Sequence, residues 1–271
     1  MTRNLIWIAS YPKSGNTWVR TILQSAITGS VDLNQLGKFI PNFSSRVSNL
    51  NQDKTIAHPS QASQYWPSTQ TTISTAAGDS SAILKTHNVC ATFDGTKFPL
   101  PDVTRSAIYI VRDPRDVAIS YSHHFNHDLD SSIEVLMNDK NFNFKEKDFF
   151  RGEFIASWKA HVLSWMAAPF PVLLIRYEDL LSEPQTIIEK IITFLEIEPK
   201  ISVEKISDAT CFKNLSNMEK QNGFTEKAHS DNFFRVGQAR QWEQGDPRFK
   251  PLVDTYSKLL VKLGYEITQA T

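Results

Sequence analysis

The chain has 271 residues, and 41% of them are hydrophobic, which is ample for a packed core and excludes large-scale disorder. The 29 Lys and Arg residues balance 29 Asp and Glu residues, so the chain lacks the positive field that DNA, RNA and other long polyanions favour. Cys90 and Cys211 form no Cys-x-x-Cys pair, which argues against a disulfide framework or a zinc site and predicts a reducing cytoplasm. Because no apolar run reaches the ~18 residues of a membrane span, we expect a soluble protein with no membrane partner, and the balanced charge predicts no nucleic-acid partner.

The first candidate site follows an apolar run, Leu5 to Ser10, which predicts a buried strand. The loop after it enters a helix-like segment, so it would offer backbone N–H groups and the positive end of a helix dipole to an anion. Gly15 allows the backbone to approach a ligand, and Lys13 supplies a mobile cation. Two further loop residues carry hydroxyl donors: Ser14 and Thr17. The loop differs from the ATPase phosphate loop, because its Lys precedes Ser-Gly, and a plain strand-to-helix turn stays open as the alternative.

The first half of the chain predicts further strands with charged ends. The helix after the loop should begin at Asn16 or Thr17 and end at Thr28-Gly29. Residues 30–78 are rich in Ser, Thr, Asn and Gln, and we expect loops and one or two short helices in a variable region whose aromatic residues could line a ligand pocket or pack at the surface. Strands are predicted from Ser81 to Thr86 and from Ala107 to Val111, and titratable residues follow both. Open α/β sheets bind ligands at such strand ends.

The second half predicts one more strand among helices. In order, we expect a helix opening at Asp113-Pro114, a polar lid within a second variable region at 122–150, helical periodicity from Phe154 to Met166, a strand from Val172 to Ile175, a helix from Ile187 to Leu195, a loop-rich stretch to Gly245, and a helix from Leu252 to Leu263. Strands that alternate with helices imply right-handed crossovers and a covered parallel sheet. The sequence therefore predicts an α/β fold, with a central parallel β-sheet flanked by helices, as a single domain over residues 1–271.

Two later segments supply more ligands for an anion. Arg112 follows a strand, and Ser120 lies about two turns into the next helix, so both could reach one anion near the helix start. A salt bridge with Asp113 or Asp116 stays open as the alternative for Arg112. The other segment lies near the C-terminus and contains Arg235, Gly237 and Arg240. For Arg235 the alternative is an exposed loop position.

Motifs in a fixed order resemble those of the cytosolic-type sulfotransferases. They are, along the chain, Tyr-Pro-Lys-Ser-Gly-x-Thr-Trp, Lys-Thr-His, Arg-x-x-x-Asp-Val-x-x-Ser-Tyr, Tyr-Glu-Asp-Leu and Phe-x-Arg-x-Gly-x-x-x-x-Trp. Their order and spacing match along nearly the whole chain, which is far more specific than any single motif. The resemblance implies a P-loop-like sulfotransferase fold, and we expect a bacterial member that acts on small molecules.

The resemblance also implies the donor and its contacts. The donor would be 3′-phosphoadenosine 5′-phosphosulfate (PAPS), and the product 3′-phosphoadenosine 5′-phosphate (PAP). By position in the motifs, the 5′-phosphosulfate would be held by Lys13, Ser14, Gly15, Asn16 and Thr17, with Trp18 near the adenine. The 3′-phosphate would be held by Arg112, Ser120, Arg235 and Gly237. The positions similar to the family's adenine contacts are Tyr177, Thr210 and Phe212.

The implied reaction is an in-line displacement at sulfur that passes a sulfuryl group to an acceptor hydroxyl or amine. A cation lowers the barrier where charge builds on the leaving oxygen, and Lys13 is the residue expected there. Lys85 would steady the sulfuryl oxygens. His87 is the expected general base, because an imidazole pKa of ~6.5 lies near working pH. No metal is expected.

One departure from the family pattern concerns the C-terminal motif. Val236 stands where the family usually has Lys, and Arg240 where it usually has a second Gly. We hypothesise that Arg240 supplies the missing cation at the 3′-phosphate.

Two other functions stay open, a P-loop-type nucleotide kinase and a nonenzymatic nucleotide-binding module. A kinase would need a magnesium ligand, usually an Asp at the end of an apolar strand, where this chain has Arg112. Lys85 and His87 argue against mere binding. The acceptor is expected to be a small molecule, because the chain has no basic track for a polysaccharide.

Overall fold

The computed structural model contains twelve α-helices and eight β-strands among the residues it describes, which are 2–51, 59–145, 148–226, 232–244 and 246–267. The strands are β1 (Leu5–Ser10), β2 (Ala82–Thr86), β3 (Ala91–Phe93), β4 (Thr96–Phe98), β5 (Thr104–Val111), β6 (Phe142–Lys145), β7 (Asp148–Phe154) and β8 (Val172–Arg176). The helices are α1 (Asn16–Thr28), α2 (Leu36–Phe39), α3 (Phe43–Leu50), α4 (Trp66–Ala77), α5 (Pro114–Phe125), α6 (Leu129–Met137), α7 (Trp158–Met166), α8 (Tyr177–Ser182), α9 (Pro184–Leu195), α10 (Val203–Thr210), α11 (Phe212–Asn222) and α12 (Lys250–Lys262).

The central sheet has the strand order β2-β1-β5-β8. β1 is buried at every position and runs parallel to both β2 and β5. A strand covered on both faces reads as a continuous apolar run, which is why this one could be found in the sequence. The register pairs Ala9 with Thr86, so Ser10 and His87 follow at the same edge of the sheet. That edge holds the carboxyl ends of the strands, where α/β sheets place ligands.

The chain forms two compact units. The first comprises Met1–Tyr11, Gly37–Ile110 and Asp139–Leu174, and the second comprises Pro12–Leu36, Val111–Asn138 and Ile175–Thr271. The first unit holds β1, β2 and nearly all of β5, together with the antiparallel hairpins β3-β4 and β6-β7. The second unit holds α1, α5, α6 and every helix from α8 to α12. The predicted single domain stays a prediction.

Aromatic side chains fill the core of the first unit. The buried ring of Trp7 meets Phe43 and Phe98 edge to face, with centroids 5.3 and 5.1 Å apart. Its indole N–H donates to Thr104 Oγ1 at 3.1 Å, so the polar atom is not left unpaired. α4 packs against β1 and β2 beside this cluster. These contacts pack an aromatic core against β1 and the start of β5.

The helix boundaries agree with the local chemistry that predicted them. α1 lies between Gly15 and Gly29, which have φ values of 105° and 83° and adopt the left-handed conformation that glycine tolerates. The Asp113 carboxylate accepts a hydrogen bond from the N–H of Arg115 and caps α5, with Pro114 at its first position. The predicted α/β fold with a central parallel sheet is confirmed.

Several predictions of secondary structure are wrong. The helix expected from Phe154 begins at Trp158, because β7 extends through Phe154 and Ala156 has a φ of 58° that no helix contains. The stretch expected to be loop-rich contains α10 and α11, whose buried apolar residues are too few to give a clear periodic stripe. The polar lid contains α6 and the hairpin β6-β7. Residues 30–78 hold more helix than expected, since α4 alone has 12 residues.

Candidate active site

The loop before α1 has the features of an anion site. It follows β1 directly and includes Lys13, which has a φ of 69°. No side chain caps the helix, and its first turn contains no acidic residue. The hydroxyl of Ser14 is fully buried and hydrogen-bonds to no residue that the structure describes. A buried donor without a partner is costly unless a ligand pairs with it, so these features fit a bound phosphate or sulfate group.

The side chain of Arg112 joins two segments of the same unit. It is buried and donates to the carbonyl oxygens of Lys13, at 3.2 Å, and Gln238, at 3.1 Å. Its guanidinium carbon lies 4.2 Å from the centroid of the Tyr177 ring. The Asp113 carboxylate, an alternative partner for Arg112 in the sequence, pairs with Arg115 at 2.6 Å.

The charge of Arg112 nevertheless affects the pKa of Asp116. Burial raises the pKa of the Asp116 carboxyl, and the Arg112 guanidinium opposes that rise. The Asp116 oxygens accept the backbone N–H groups of Arg240 and Gln241 at 2.8 and 2.9 Å. This carboxylate therefore anchors the C-terminal motif to α5.

Two cations meet in this unit. The side chain of Arg235, which is mostly exposed but partly covered, donates to Gln241 Oε1 at 2.6 Å. Partial burial and the charge of Arg112 both lower the pKa of Arg235. Two arginines that repel one another would be neutralised by a bound phosphate. Lys13 supplies a third cation, with its Nζ 4.4 Å from the centroid of the Phe233 ring.

The aromatic residues predicted to contact adenine lie near the phosphate ligands. The rings of Trp18 and Tyr177 meet edge to face with centroids 5.7 Å apart. Gly237 has a φ of 63°, and a Cβ there would approach the Phe212 ring to 2.3 Å. Only glycine can occupy this position without moving the ring.

Two further predicted contacts are less exposed to a ligand. Thr210 is buried at the end of α10, and its hydroxyl donates to the carbonyl of Ile206 at 2.8 Å. Ser120 is half-buried on α5. Their predicted roles toward the nucleotide stay predictions.

The guanidinium of Arg240 pairs with a carboxylate. Its partner is Glu266, and both side chains are more than half exposed. Arg240 has a φ of 61° and lines a cavity of about 250 Å³ together with Asp116 and Glu178. The hypothesis that Arg240 serves the 3′-phosphate stays a prediction.

In the first unit, a hydrogen bond fixes the tautomer of His87. Its Nδ1 lies 2.8 Å from the carbonyl oxygen of Ser10, at the end of β1. A carbonyl oxygen only accepts, so Nδ1 carries the hydrogen in the neutral ring and Nε2 keeps its lone pair. This arrangement makes Nε2 the basic nitrogen.

The main chain of His87 is held on both sides. Its N–H donates to Glu153 Oε1 at 3.1 Å, and its carbonyl accepts from His161 Nε2 at 3.1 Å. His161 is fully buried, and its Nδ1 accepts from the hydroxyl of Tyr109 at 2.8 Å. Burial lowers the pKa of His161 to about 3. The ring is therefore neutral at ordinary pH and acts as a fixed support.

Glu153 also connects to Lys85 on β2. Burial raises the pKa of the Glu153 carboxyl, while the charge of Lys85 opposes that rise. The amide of Asn42 donates to the same carboxylate oxygen at 3.3 Å. Neither Glu153 nor His161 belongs to a motif that predicted the site. Glu153 lies between Gly152 and Phe154 near the end of β7, and a carboxylate is rarely buried without a partner.

Some expectations reach beyond the described residues. Residues 52–58 and 146–147 of the variable regions lie outside them, as do the side chains of residues 143–151. Within the described ranges, no group of three or more His, Cys, Asp or Glu residues could hold a metal ion. None of the helices in those ranges is both long and apolar enough to cross a membrane. Cys90 and Cys211 are free thiols.

Comparison with known proteins assigns the family. The sequence model of the sulfotransferase domain matches residues 3–258. The chain therefore belongs to the sulfotransferase family, as predicted. It is 24% identical to cytosolic sulfotransferase 8 of Arabidopsis thaliana, over 88% of this chain and 70% of that protein. It is 30% identical to sulfotransferase 1A1 of Bos taurus, over 77% of this chain and 64% of that protein. The chain thus spans about two thirds of the length of these relatives.

Solved structures share the fold. Mouse sulfotransferase SULT7A1, complexed with PAP, superposes with a TM-score of 0.60 at 21% identity, covering 94% of this chain and 83% of that one. Retinol dehydratase, in complex with androsterone and PAP, gives a TM-score of 0.61 at 19% identity, covering 95% and 80%. The predicted sulfotransferase fold is confirmed. The bacterial origin stays a prediction.

Proposed function

We propose that this chain transfers a sulfuryl group from PAPS to a hydroxyl or amine of a small-molecule acceptor, with His87 as general base. The observation that carries this proposal is the hydrogen bond from His87 Nδ1 to the Ser10 carbonyl. A ring whose tautomer is fixed with a basic Nε2 suits proton removal, and mere nucleotide binding does not require it. This distinction favours an enzyme over a nonenzymatic binding module.

Recognition of the donor is assigned to the second unit. Ser14 and the backbone at Gly15 would hold the 5′-phosphosulfate, since the hydroxyl is buried and the loop precedes an uncapped helix. Arg112 and Arg235 would hold the 3′-phosphate, whose charge relieves their repulsion. A clamp for this group would let the site reject ATP. The fold is shared with proteins that were solved with PAP, which supports the same ligand here.

The reaction follows from these roles. The acceptor oxygen or nitrogen forms a bond to sulfur while the bond from sulfur to the 5′-phosphate oxygen breaks, and PAP leaves. The acceptor proton passes to His87 Nε2. Lys13 would neutralise charge on the leaving oxygen, and Lys85 would steady the sulfuryl oxygens. A base of this kind contributes ~100- to 10,000-fold, so its loss should be easily measured.

The acceptor is proposed by class. Retinol dehydratase, which shares this fold, was solved with androsterone in one structure and with retinol in another. A small-molecule hydroxyl or amine is proposed for this chain by that likeness. The cytoplasmic location stays a prediction, and the names of the plant relatives agree with it.

A thermal-shift comparison tests the donor class. PAP, ADP and Mg·ATP are added at equal concentrations, and a ligand at ~100 times its Kd should add ~2.7 kcal/mol to stability, enough for a shift of several degrees. A shift confined to PAP is expected. A shift with Mg·ATP alone would contradict the proposal and restore the kinase alternative.

The variant His87→Asn tests the base. The Asn amide can still donate from the position of Nδ1 but has no counterpart of Nε2. With ³⁵S-labelled PAPS and a panel of phenols, alcohols and amines, the variant should lose transfer and keep the PAP shift. Turnover at the wild-type rate would remove His87 as base. Loss of the PAP shift as well would point to misfolding.

A further inference from the structure

A single buried carboxylate, that of Glu153, lies beside both residues assigned to the chemistry in the first unit. Glu153 is 7% exposed and is the second-last residue of β7, directly before Phe154. Its Oε1 accepts the backbone N–H of His87 at 3.1 Å and the Asn42 amide at 3.3 Å. Burial raises the pKa of the Glu153 carboxyl, and the charge of the Lys85 ammonium opposes that rise. The carboxylate is thus shared by the strand end that carries Lys85 and by the base that follows it.

The adjacent residue of β7 strengthens this connection. The N–H of Phe154 donates to Asn88 Oδ1 at 2.8 Å, and its carbonyl accepts the N–H of Val89 at 2.7 Å. Consecutive residues of β7 therefore bind consecutive residues of the segment from His87 to Val89. With His161 on the His87 carbonyl, this leaves the main chain of the base little freedom to move.

We propose that Glu153 is a positioning residue for the transfer reaction. Its carboxylate holds the main chain of His87 and attracts the Lys85 ammonium, so that the base and the cation keep a fixed separation. Glu153 is not assigned as the base itself, because its Oε1 already accepts two hydrogen bonds and the side chain is buried. This inference rests on the proposed function, since it needs His87 and Lys85 in their assigned roles.

The physical reason is the sensitivity of group transfer to geometry. A buried carboxylate without compensation is costly, so the Glu153 charge and the Lys85 charge stabilise each other's positions. A displacement of about 1 Å in a reacting group can cost ~100-fold in rate. Replacing the carboxylate by an amide of equal size should therefore reduce the transfer rate with little effect on nucleotide binding, which is assigned to other residues.

The test compares Glu153→Gln with wild type and with a control, Ser74→Ala. The control removes a buried hydrogen bond of 2.7 Å to Asn4, which precedes β1. Asn4 and the Ser10–His87 contact lie at opposite ends of that strand, so the control perturbs the same unit remote from the base. For each protein, the midpoint shift with PAP and the kcat and KM are measured, with PAPS and the first compound of the panel that wild type sulfates.

The expected result is a kcat about 10- to 100-fold lower for Glu153→Gln, with an unchanged PAP shift, while Ser74→Ala keeps the wild-type kcat. If wild type is active and Glu153→Gln keeps its kcat, the inference is overturned. An equal loss of kcat in Ser74→Ala would also overturn it, because the effect would then be general instability. A wild type that sulfates nothing in the panel contradicts the proposed function instead.

A second measurement asks whether Glu153 acts through Lys85. In the variant Lys85→Met the ammonium is gone, so adding Glu153→Gln should change kcat by less than about threefold. The Gln amide oxygen can still accept the His87 N–H, so the substitution tests the charge; effects that multiply in full would show that this charge acts independently of Lys85, and would overturn the inference.

Discussion

Replacing His161 should change how the stability of the fold depends on pH. The ring is fully buried between Tyr109 and the carbonyl of His87. Burial lowers the pKa of His161 from 6.5 to about 3. In the unfolded chain the ring titrates near ~6.5, so between these values the unfolded state binds a proton that the folded state does not. The free energy of unfolding must therefore fall as the pH falls below ~6.5.

The size of the effect follows from the two pKa values. A full shift of this size corresponds to about 5 kcal/mol, reached near pH 3, at ~1.36 kcal/mol for each pH unit. Between pH 7 and pH 4.5 the loss from this ring alone is about 2.5 kcal/mol. In His161→Gln that contribution is absent, although the variant should lose ~1–3 kcal/mol at pH 7 because its hydrogen bonds are weaker or missing.

Urea unfolding at the two pH values gives the comparison. The buried carboxyls with raised pKa, Asp116, Glu153 and Glu178, act in the opposite sense, but they are present in both proteins and cancel in the difference. Wild type should thus lose about 2.5 kcal/mol more than His161→Gln on going from pH 7 to pH 4.5. Ser74→Ala, which has the ring, should follow wild type. Parallel pH dependences of wild type and His161→Gln would refute the burial argument.

Three further predictions concern the second unit. Gly237→Ala should weaken PAP binding at least about tenfold in calorimetry, since its Cβ would lie 2.3 Å from the Phe212 ring at a positive φ. An unchanged affinity would show that the Phe212 ring does not contact the nucleotide. Arg112→Ala should also weaken PAP binding, by about tenfold or more, because charge-assisted hydrogen bonds to phosphate contribute about 1.5–3 kcal/mol each. An unaltered Kd would show that Arg112 does not bind the 3′-phosphate. Glu226→Gln should lower the free energy of unfolding in urea by about 2–4 kcal/mol, because the Arg20 side chain is 0% exposed and its ion pair with Glu226 is 2.7 Å long. A loss near zero would show that other groups balance the buried charge of Arg20.

The sequence predicted those parts of the fold whose determinants are local. β1 was visible because both of its faces are buried, and α1 because glycines stand at both of its ends. The start of α5 was visible because Asp113 and Pro114 form its cap and first position. Short-range chemistry of this kind is written in consecutive residues, so it needs no knowledge of the tertiary fold.

The supports of the candidate site were not predictable in the same way. Glu153 reaches His87 across 66 positions, and His161 reaches it across 74. Their roles depend on where β7 and α7 pack, and the boundary between those elements was itself wrongly predicted. His87 and Lys85 could be proposed because they stand directly at a strand end. The residues that hold them in place became visible only with tertiary contacts.

The group that sets the tautomer of His87 is a main-chain carbonyl, and no side-chain substitution removes it. The Ser10 hydroxyl lies farther from Nδ1, at 3.3 Å, than the carbonyl oxygen, at 2.8 Å. An alanine scan would therefore record position 10 as tolerant, although the atom beside it decides which nitrogen is basic. Exchange of the peptide bond after Ser10 for an ester, whose carbonyl is a weaker acceptor, would expose this dependence by semisynthesis. Because the backbone of β1 supplies the acceptor, a side-chain substitution at position 10 leaves the tautomer of the proposed base unchanged.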